Sequence, residues 1–300
     1  MHLRPALFLL LLLNIPLGAQ QVMVLGIAQD AGKPQLACSK ECCAELPPNF
    51  DGSPVSLAIL DSNSKKWYLI EASPAIKKQL LKIPSDYPAL PEAIFLTHAH
   101  IGHYSGLVHF GREAANSQRI STYSGPRFCE FLRNNGPWSQ LVSLKNIIPK
   151  AISSGDSVKI ASGAISIKAI AVPHRDEYSE TFGYLISGPK KRLLFIPDID
   201  KWERWELDID SIIKKVDYAL LDATFFDSKE LHGRDMAEIP HPFVKESMQR
   251  WQSLGANEKR KIHFIHLNHS NPLWDKNSSA YRAAIEAGFR VAEVNQVFSL

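Results

Sequence analysis

The 300-residue sequence has little net charge, and it contains no low-complexity tract or tandem repeat. Its 34 Lys and Arg residues are scattered and nearly balance 31 Asp and Glu residues, which leaves a formal net charge of +3. This charge is too small to indicate a nucleic acid or an anionic membrane as partner. Because 45% of the residues are hydrophobic and 22% are charged, the composition is typical of a globular enzyme. It leaves the oligomeric state open.

The sequence also lacks an apolar run long enough for a stable membrane span. Its longest apolar run, Ala6–Leu13, follows the basic Arg4 and precedes small residues that suit cleavage near Gln20. We therefore expect residues 1–20 to be a signal peptide and residues 21–300 to form a single domain. The mature protein would be exported, either periplasmic or secreted, and an uncleaved membrane anchor is the alternative.

Cysteine is scarce, and three of the four cysteines lie within six residues. Cys38, Cys42 and Cys43 in ACSKECC are close for disulfide pairing but well spaced for a thiolate metal site. A disulfide is the alternative, because exported proteins pass into compartments where disulfides persist. Cys129 is expected to be a buried apolar residue of a helix.

Histidines are concentrated in the segment LTHAHIGHYSGL, which contains His98, His100 and His103. Two residues that are two positions apart at a strand end point to the same side of a sheet. The third histidine, at the start of the next helix, can converge on the same volume. Because neutral imidazole is the commonest nitrogen ligand of Zn²⁺ in proteins, the spacing predicts a metal site.

Strand-like runs and helical patterns alternate along the chain, which favours an α+β fold. We expect an αββα sandwich of two mixed β-sheets with outer helices. The predicted strands are Val22–Ile27, Val55–Leu60, Trp67–Ile70, Ala93–Leu96, Ile165–Val172, Tyr184–Ile186, Leu193–Ile196, Tyr218–Leu221, Ile262–Leu267 and Phe289–Val294. The predicted helices are Pro74–Leu81, Gly125–Arg133, Ile209–Lys215, Pro242–Leu254 and Ser278–Ala287.

Further candidate ligands lie where predicted strands end. His174 follows one strand, Asp198 follows another, and His266 and His269 lie at the end of a third. Together with His98, they indicate one rim of the sandwich, where loops collect functional groups on a rigid scaffold.

In this order the motifs resemble the metallo-β-lactamase superfamily, whose pattern is H-x-H-x-D-H followed by a distant His, an Asp and a final His. The resemblance covers about residues 21–300. It implies a metal-dependent hydrolase with a small-molecule substrate, which the predicted signal peptide would direct out of the cytoplasm. In such an enzyme a metal-bound hydroxide attacks an ester, phosphodiester or lactone-like bond.

The resemblance also implies two ion positions. The first ion would use three histidines and keep an open position, and the second would share a bridging carboxylate with the first. The candidate metal ligands are His98, His100, His103, His174, Asp198 and either His266 or His269, and the candidate catalytic residues are Asp198 and His103. One or two catalytic Zn²⁺ ions are expected, and Fe²⁺ is the alternative, since these ligand types suit both metals.

Gly102 departs from the superfamily pattern. The Asp that the superfamily has there binds the second ion and accepts a hydrogen bond from the attacking water. Glycine can do neither, so we expect a second site with fewer protein ligands and weaker occupancy. Asp30, Asp176 and Glu177 are candidate replacements, but sequence spacing cannot place any of them.

A closer resemblance points to the PQQ (pyrroloquinoline quinone) biosynthesis protein B family. It is carried by the segments VLGIAQDAGKPQLAC, LIEASPAIKKQL, LLDATFF, RDMAEIP and HLNHSNPLWD. It implies an alternative function as an iron-dependent oxidative enzyme or a carrier of PQQ or its precursor. A non-catalytic binding protein is a third hypothesis, motivated by the glycine in the metal motif.

The same resemblance bears on the cysteines. In the B proteins and related phosphodiesterases, similar cysteines and a distant histidine hold a structural zinc. Here the fourth ligand would be His241 or His232.

Glu71 would support a ligand histidine through its other ring nitrogen.

Overall fold

A computed structural model describes residues 20–175, 177–231 and 236–300. Within these ranges the chain forms two seven-stranded mixed sheets. The first sheet contains, in chain order, β1 (Gln20–Gly26), β2 (Ser56–Asp61), β3 (Lys66–Ile70), β4 (Ala93–Phe95), β5 (Ile120–Ser124), β6 (Ile147–Ala151) and β14 (Val297–Ser299). The second contains β7 (Ser157–Ile160), β8 (Ile165–Ala171), β9 (Phe182–Ser187), β10 (Arg192–Ile196), β11 (Tyr218–Asp222), β12 (Ile262–Ile265) and β13 (Arg290–Val291).

The α-helices of the described ranges are short and lie between the strands in sequence. They are α1 (Glu41–Ala44), α2 (Ile76–Leu80), α3 (Ile101–Tyr104), α4 (Pro126–Asn134), α5 (Trp138–Ser143), α6 (Ile209–Ile213), α7 (Val244–Arg250), α8 (Ala256–Lys259) and α9 (Ser279–Glu286).

The two sheets share one pairing pattern. The spatial order is β14-β1-β2-β3-β4-β5-β6 in the first sheet and β13-β12-β11-β10-β9-β8-β7 in the second. β3 to β6 are parallel in the first sheet, and β10 to β13 are parallel in the second. Because parallel strands end at the same edge, the residues that follow them collect on one rim.

Alternation along the strands explains the layers. Leu57 and Ile59 of β2 belong to the core that includes residues of both sheets. Ala58 and Leu60 instead join a second core with Phe128 of α4 and with α5. Because successive strand residues face opposite sides, the first sheet is buried on both faces. The predicted αββα sandwich is confirmed.

The core between the two sheets also includes two tryptophans that lie next to the rim. Trp202 donates from Nε1 to Ser247 Oγ at 2.9 Å, and Trp205 donates to the Ala171 carbonyl at 2.8 Å. Both rings are buried, so they stabilise the sheet that carries the rim rather than open a pocket.

The predicted signal peptide lies outside the described residues except for Gln20, which begins β1, so that assignment stays a prediction. In the part of the chain that is described, no helix is both long and apolar enough to cross a bilayer. Two other residues singled out above, Asp176 and His232, also fall outside the described ranges.

Candidate metal centre

One rim of the sandwich brings together histidines and carboxylates that are far apart in sequence. His98 follows β4, His174 follows β8, Asp198 follows β10 and His266 follows β12. His266 has a φ of 66°, a left-handed conformation that is uncommon for a residue with a side chain. The backbone therefore turns sharply where the strand ends, beside the other histidines.

A first group of possible ligands consists of His98, His100, His174 and Asp198. The Oδ2 atom of Asp198 lies 3.4 Å from His98 Nε2, 3.2 Å from His174 Nε2 and 3.8 Å from His100 Nδ1. Three imidazole nitrogens and a carboxylate oxygen thus surround one small volume. Donor atoms of this type suit a divalent transition metal.

A second group consists of Asp30, His103 and His266. His103 Nε2 lies 3.4 Å from Asp30 Oδ1. Asp198 Oδ2 lies 4.0 Å from His103 Nε2 and 3.9 Å from His266 Nε2. One oxygen of Asp198 therefore faces both groups. This is the position that a carboxylate bridging two ions would occupy.

Hydrogen bonds and ion pairs at the opposite side of the rings orient them. The Nδ1 atoms of His98 and His266 lie 2.9 Å from Thr97 Oγ1 and Thr224 Oγ1. The corresponding atoms of His174 and His103 lie 3.2 Å from Asp200 Oδ1 and 3.5 Å from Glu71 Oε1. Because such partners fix ring orientation and tautomer, each Nε2 is directed to the centre.

The electrostatics of the rim fit a cation. His98 Nε2, His103 Nε2 and His266 Nε2 are buried and make no hydrogen bond with the described residues, which is a costly arrangement without a ligand. Burial lowers the pKa of His98 well below its ordinary range and that of His266 to about 4. Both imidazoles are therefore neutral at pH 7, which is the state that binds metal.

His103 has the opposite electrostatic environment. Burial alone would lower its pKa, but the carboxylates of Glu71 and Asp30 outweigh burial and raise it to about 10. The ring lies between two acidic groups, so this part of the rim attracts positive charge, whether a proton or an ion.

The cysteines form a separate site with His269. Cys38, Cys42, Cys43 and His269 can offer ligand atoms to one ion. His269 Nδ1 lies 3.2 Å from Cys43 Sγ and 3.6 Å from Cys42 Sγ. Burial raises the pKa of Cys42 to about 11, so an ion bound there would have to displace protons. All four cysteines lie within the described ranges and are free thiols, not disulfides.

The structure therefore selects between two candidate ligands and changes one sequence assignment. His269 is with the cysteines, whereas His266 is with the rim histidines. His241, predicted as the fourth cysteine partner, lies in the rim instead, where its Nδ1 is 3.1 Å from Asp198 Oδ1 and 2.9 Å from Asp222 Oδ2. The loop after β12 is tied to the end of β1 by the bridge between Ala28 and Leu267, and its next turn brings His269 to Cys43.

Asp222 ends β11 and is fully buried. It accepts hydrogen bonds from the backbone N–H groups of Ile199 and Thr224, at 3.1 and 2.8 Å. It thus supports the Asp198 loop and orients His241. The local sequence contains no signal for this pairing, because the two residues are 19 positions apart.

Comparisons with known proteins agree with this geometry. Residues 66–264 match the family described as the beta-lactamase superfamily domain. The chain is 24% identical to coenzyme PQQ synthesis protein B of Methylococcus capsulatus, and 25% identical to that of Methylobacterium nodulans. Each of these alignments covers 90% of this chain and 97% of the relative.

Solved structures show the same fold. Zn²⁺-bound PqqB from Methylobacterium extorquens has a TM-score of 0.75 at 19% identity, covering 93% of this chain and all of that one. A diphosphatase from the PhnP family has a TM-score of 0.63 at 18% identity, covering 94% of this chain and 97% of that one. The predicted resemblance to the PQQ synthesis B proteins is confirmed.

Proposed function

This chain belongs to the beta-lactamase superfamily, and from that premise we propose that it is a metal-dependent hydrolase. The bond cleaved would be an ester, phosphodiester or lactone-like bond of a small-molecule substrate. The observation that carries the proposal is that two groups of ligating side chains meet at one oxygen of Asp198.

The residues fit divalent ions. His98, His100 and His174 would hold one ion, His103 and His266 a second, with Asp198 between them. Bound ions would polarise the bond to be cleaved and lower the pKa of a water molecule to near neutrality. The protein's own contribution is to hold these imidazoles in fixed orientations on a rigid rim, where burial keeps His98 and His266 neutral.

His241 is placed to move a proton at this centre. Burial alone would lower its pKa, but Asp222 and Asp198 outweigh burial and raise it well above the ordinary range. With Nδ1 held between two carboxylates, Nε2 is the ring atom left to exchange a proton with a departing oxygen. General acid catalysis of this kind contributes about 10²–10⁴-fold to a rate.

The test is hydrolysis by metal-defined protein. The chain would be stripped of metal, reloaded separately with zinc, iron or manganese, and assayed on a phosphodiester, a carboxylic ester and a lactone. We expect turnover of at least one compound by the parent, loss in His98→Ala, and retention in His109→Ala, which lies outside both ligand groups. If no metal form hydrolyses any of the three bond types, the proposal is wrong.

The second candidate is a function like that of PQQ synthesis protein B. It is supported by relatives of that name that match 90% of the chain and by the higher TM-score of PqqB than of the diphosphatase. The comparisons favour this candidate over the hydrolase. It would act as an iron-dependent oxidative enzyme or as a carrier of PQQ or its precursor.

Two measurements separate the candidates. Oxygen uptake by the iron-loaded protein with a PQQ precursor would support the oxidative function, and calorimetric binding of PQQ without turnover would support the carrier. Hydrolysis with neither of these results would support the first candidate.

We further propose export, on the basis of the apolar N-terminal segment Ala6–Leu13. The mass of the protein recovered from the periplasm or medium would locate its mature N-terminus. A full-length chain found only in the cytoplasm would refute this part of the proposal.

A further inference from the structure

Asp30 occupies the space where a side chain on Gly102 would lie. A Cβ atom built on Gly102 would be 2.9 Å from the Cβ of Asp30 and closer still to its Cα and Oδ1 atoms. Such separations are not tolerated between real atoms, so only glycine fits at position 102 while Asp30 holds its place. The absence of a side chain at position 102 and the position of Asp30 therefore depend on each other.

The Asp30 carboxylate also faces the second ligand group. Its Oδ1 lies 3.4 Å from His103 Nε2, and the candidate ligand atoms of Asp30, His103 and His266 all lie within 4.8 Å of one another. Both histidine Nε2 atoms are buried without a hydrogen bond. We propose that Asp30 is the carboxylate ligand of the second ion and replaces the side chain that Gly102 lacks.

The backbone on both sides holds Asp30 in place. The Gln29 N–H donates to the Leu267 carbonyl at 2.9 Å, next to the ligand His266. The Gly32 N–H closes the turn onto the Gln29 carbonyl at 2.7 Å, and Gly32 has a φ of +75°, which favours glycine. The carboxylate is therefore carried by a turn with fixed ends rather than by a free loop.

The other carboxylates near the rim are less suited to this role. Glu177 lies 3.6 Å from His100 Nε2, on the far side of that ring from the centre, and pairs with Arg175 at 3.3 Å. Its side chain is 49% exposed. Asp222 already accepts hydrogen bonds from two backbone N–H groups. Besides the bridging Asp198, Asp30 is the carboxylate of the described residues that reaches His103 and His266 together.

This inference rests on the proposed two-ion centre, and its test does not depend on turnover. Parent, Asp30→Asn and Glu177→Gln proteins would be saturated with zinc, freed of loose metal by gel filtration, and analysed for ions per chain. Calorimetric titration of the metal-stripped proteins would give the dissociation constant of each ion. Asparagine keeps the shape of the side chain, and circular dichroism would verify folding.

We expect Asp30→Asn to retain one ion fewer than the parent. Its second-ion dissociation constant should rise by more than the roughly 10- to 100-fold that loss of an outer partner costs. Glu177→Gln should match the parent. Equal ion counts and affinities in parent and Asp30→Asn would overturn the inference, as would a parent with no second rim ion. If the expected ion loss is seen but no bond type is hydrolysed, the ligand role stands and the proposed hydrolase fails.

Discussion

Substitution of Gly102 by Asp provides a sharp test of the rim, because it restores the superfamily metal motif in sequence. From the motif alone, the added carboxylate should strengthen the second ion position. The structure predicts the opposite, because the new Cβ would fall within 2.9 Å of Asp30 Cβ and closer to its backbone Cα. Either the turn that carries Asp30 moves away or α3 shifts.

The expected cost follows from this crowding. Inserting atoms into a filled space costs about 1–3 kcal/mol. The two carboxylates would also repel each other, which disfavours the charged form of one of them. We therefore expect Gly102→Asp to lower the free energy of unfolding by at least about 1–3 kcal/mol and to weaken the binding of the second ion.

Urea unfolding of metal-stripped protein measures the first effect without the stabilisation that bound metal adds. Gly255→Asp is the matched control, because a Cβ there meets no atom within 4 Å and the residue is the N-cap of α8. Aspartate at an N-cap is at least as favourable as glycine. A Gly102→Asp protein as stable as the parent, with more tightly bound metal, would refute the reasoning.

Three further predictions concern other parts of the chain. The His98→Ala variant should lose an ion and bind metal more than about 100-fold more weakly. The control His109→Ala should keep the ion count of the parent. Equal ion counts in both variants would contradict the first ligand group. The Cys43→Ser variant should lose one ion and melt at a lower temperature, while the rim ions stay bound. The control Cys129→Ser should keep all ions. A Cys43→Ser protein with the metal content of the parent would contradict a cysteine site. Burial lowers the pKa of His263 from 6.5 to about 4, so the unfolded chain takes up this proton first as pH falls. The contribution of the neutral His263 ring to the free energy of unfolding is fully present above pH 6.5. It is lost as the pH falls from 6.5 to 4, by about 3 kcal/mol at ~1.4 kcal/mol per pH unit. Parallel stability curves for parent and His263→Gln over that range would refute this.

Much of the fold was predictable because its signals are local. The run Ala93–Leu96 and the helical pattern Gly125–Arg133 correspond to β4 and α4. β5 was missed because three of its five residues, in ISTYS, are polar, although its strand is paired on both sides. Its burial comes from neighbouring strands and helices, which periodicity cannot show.

The sequence by itself determined the class of fold and the convergence of His98, His100 and His103 between the end of one strand and the start of the next helix, because spacing along one segment fixes their geometry. Only the tertiary structure decided that His269 joins Cys43, 226 residues away, and that His241 joins the rim. It also decided that Asp30 fills the space beside Gly102. These choices depend on which loops cross at the rim, and loop crossings follow from the packing of whole sheets rather than from any pattern within a single segment.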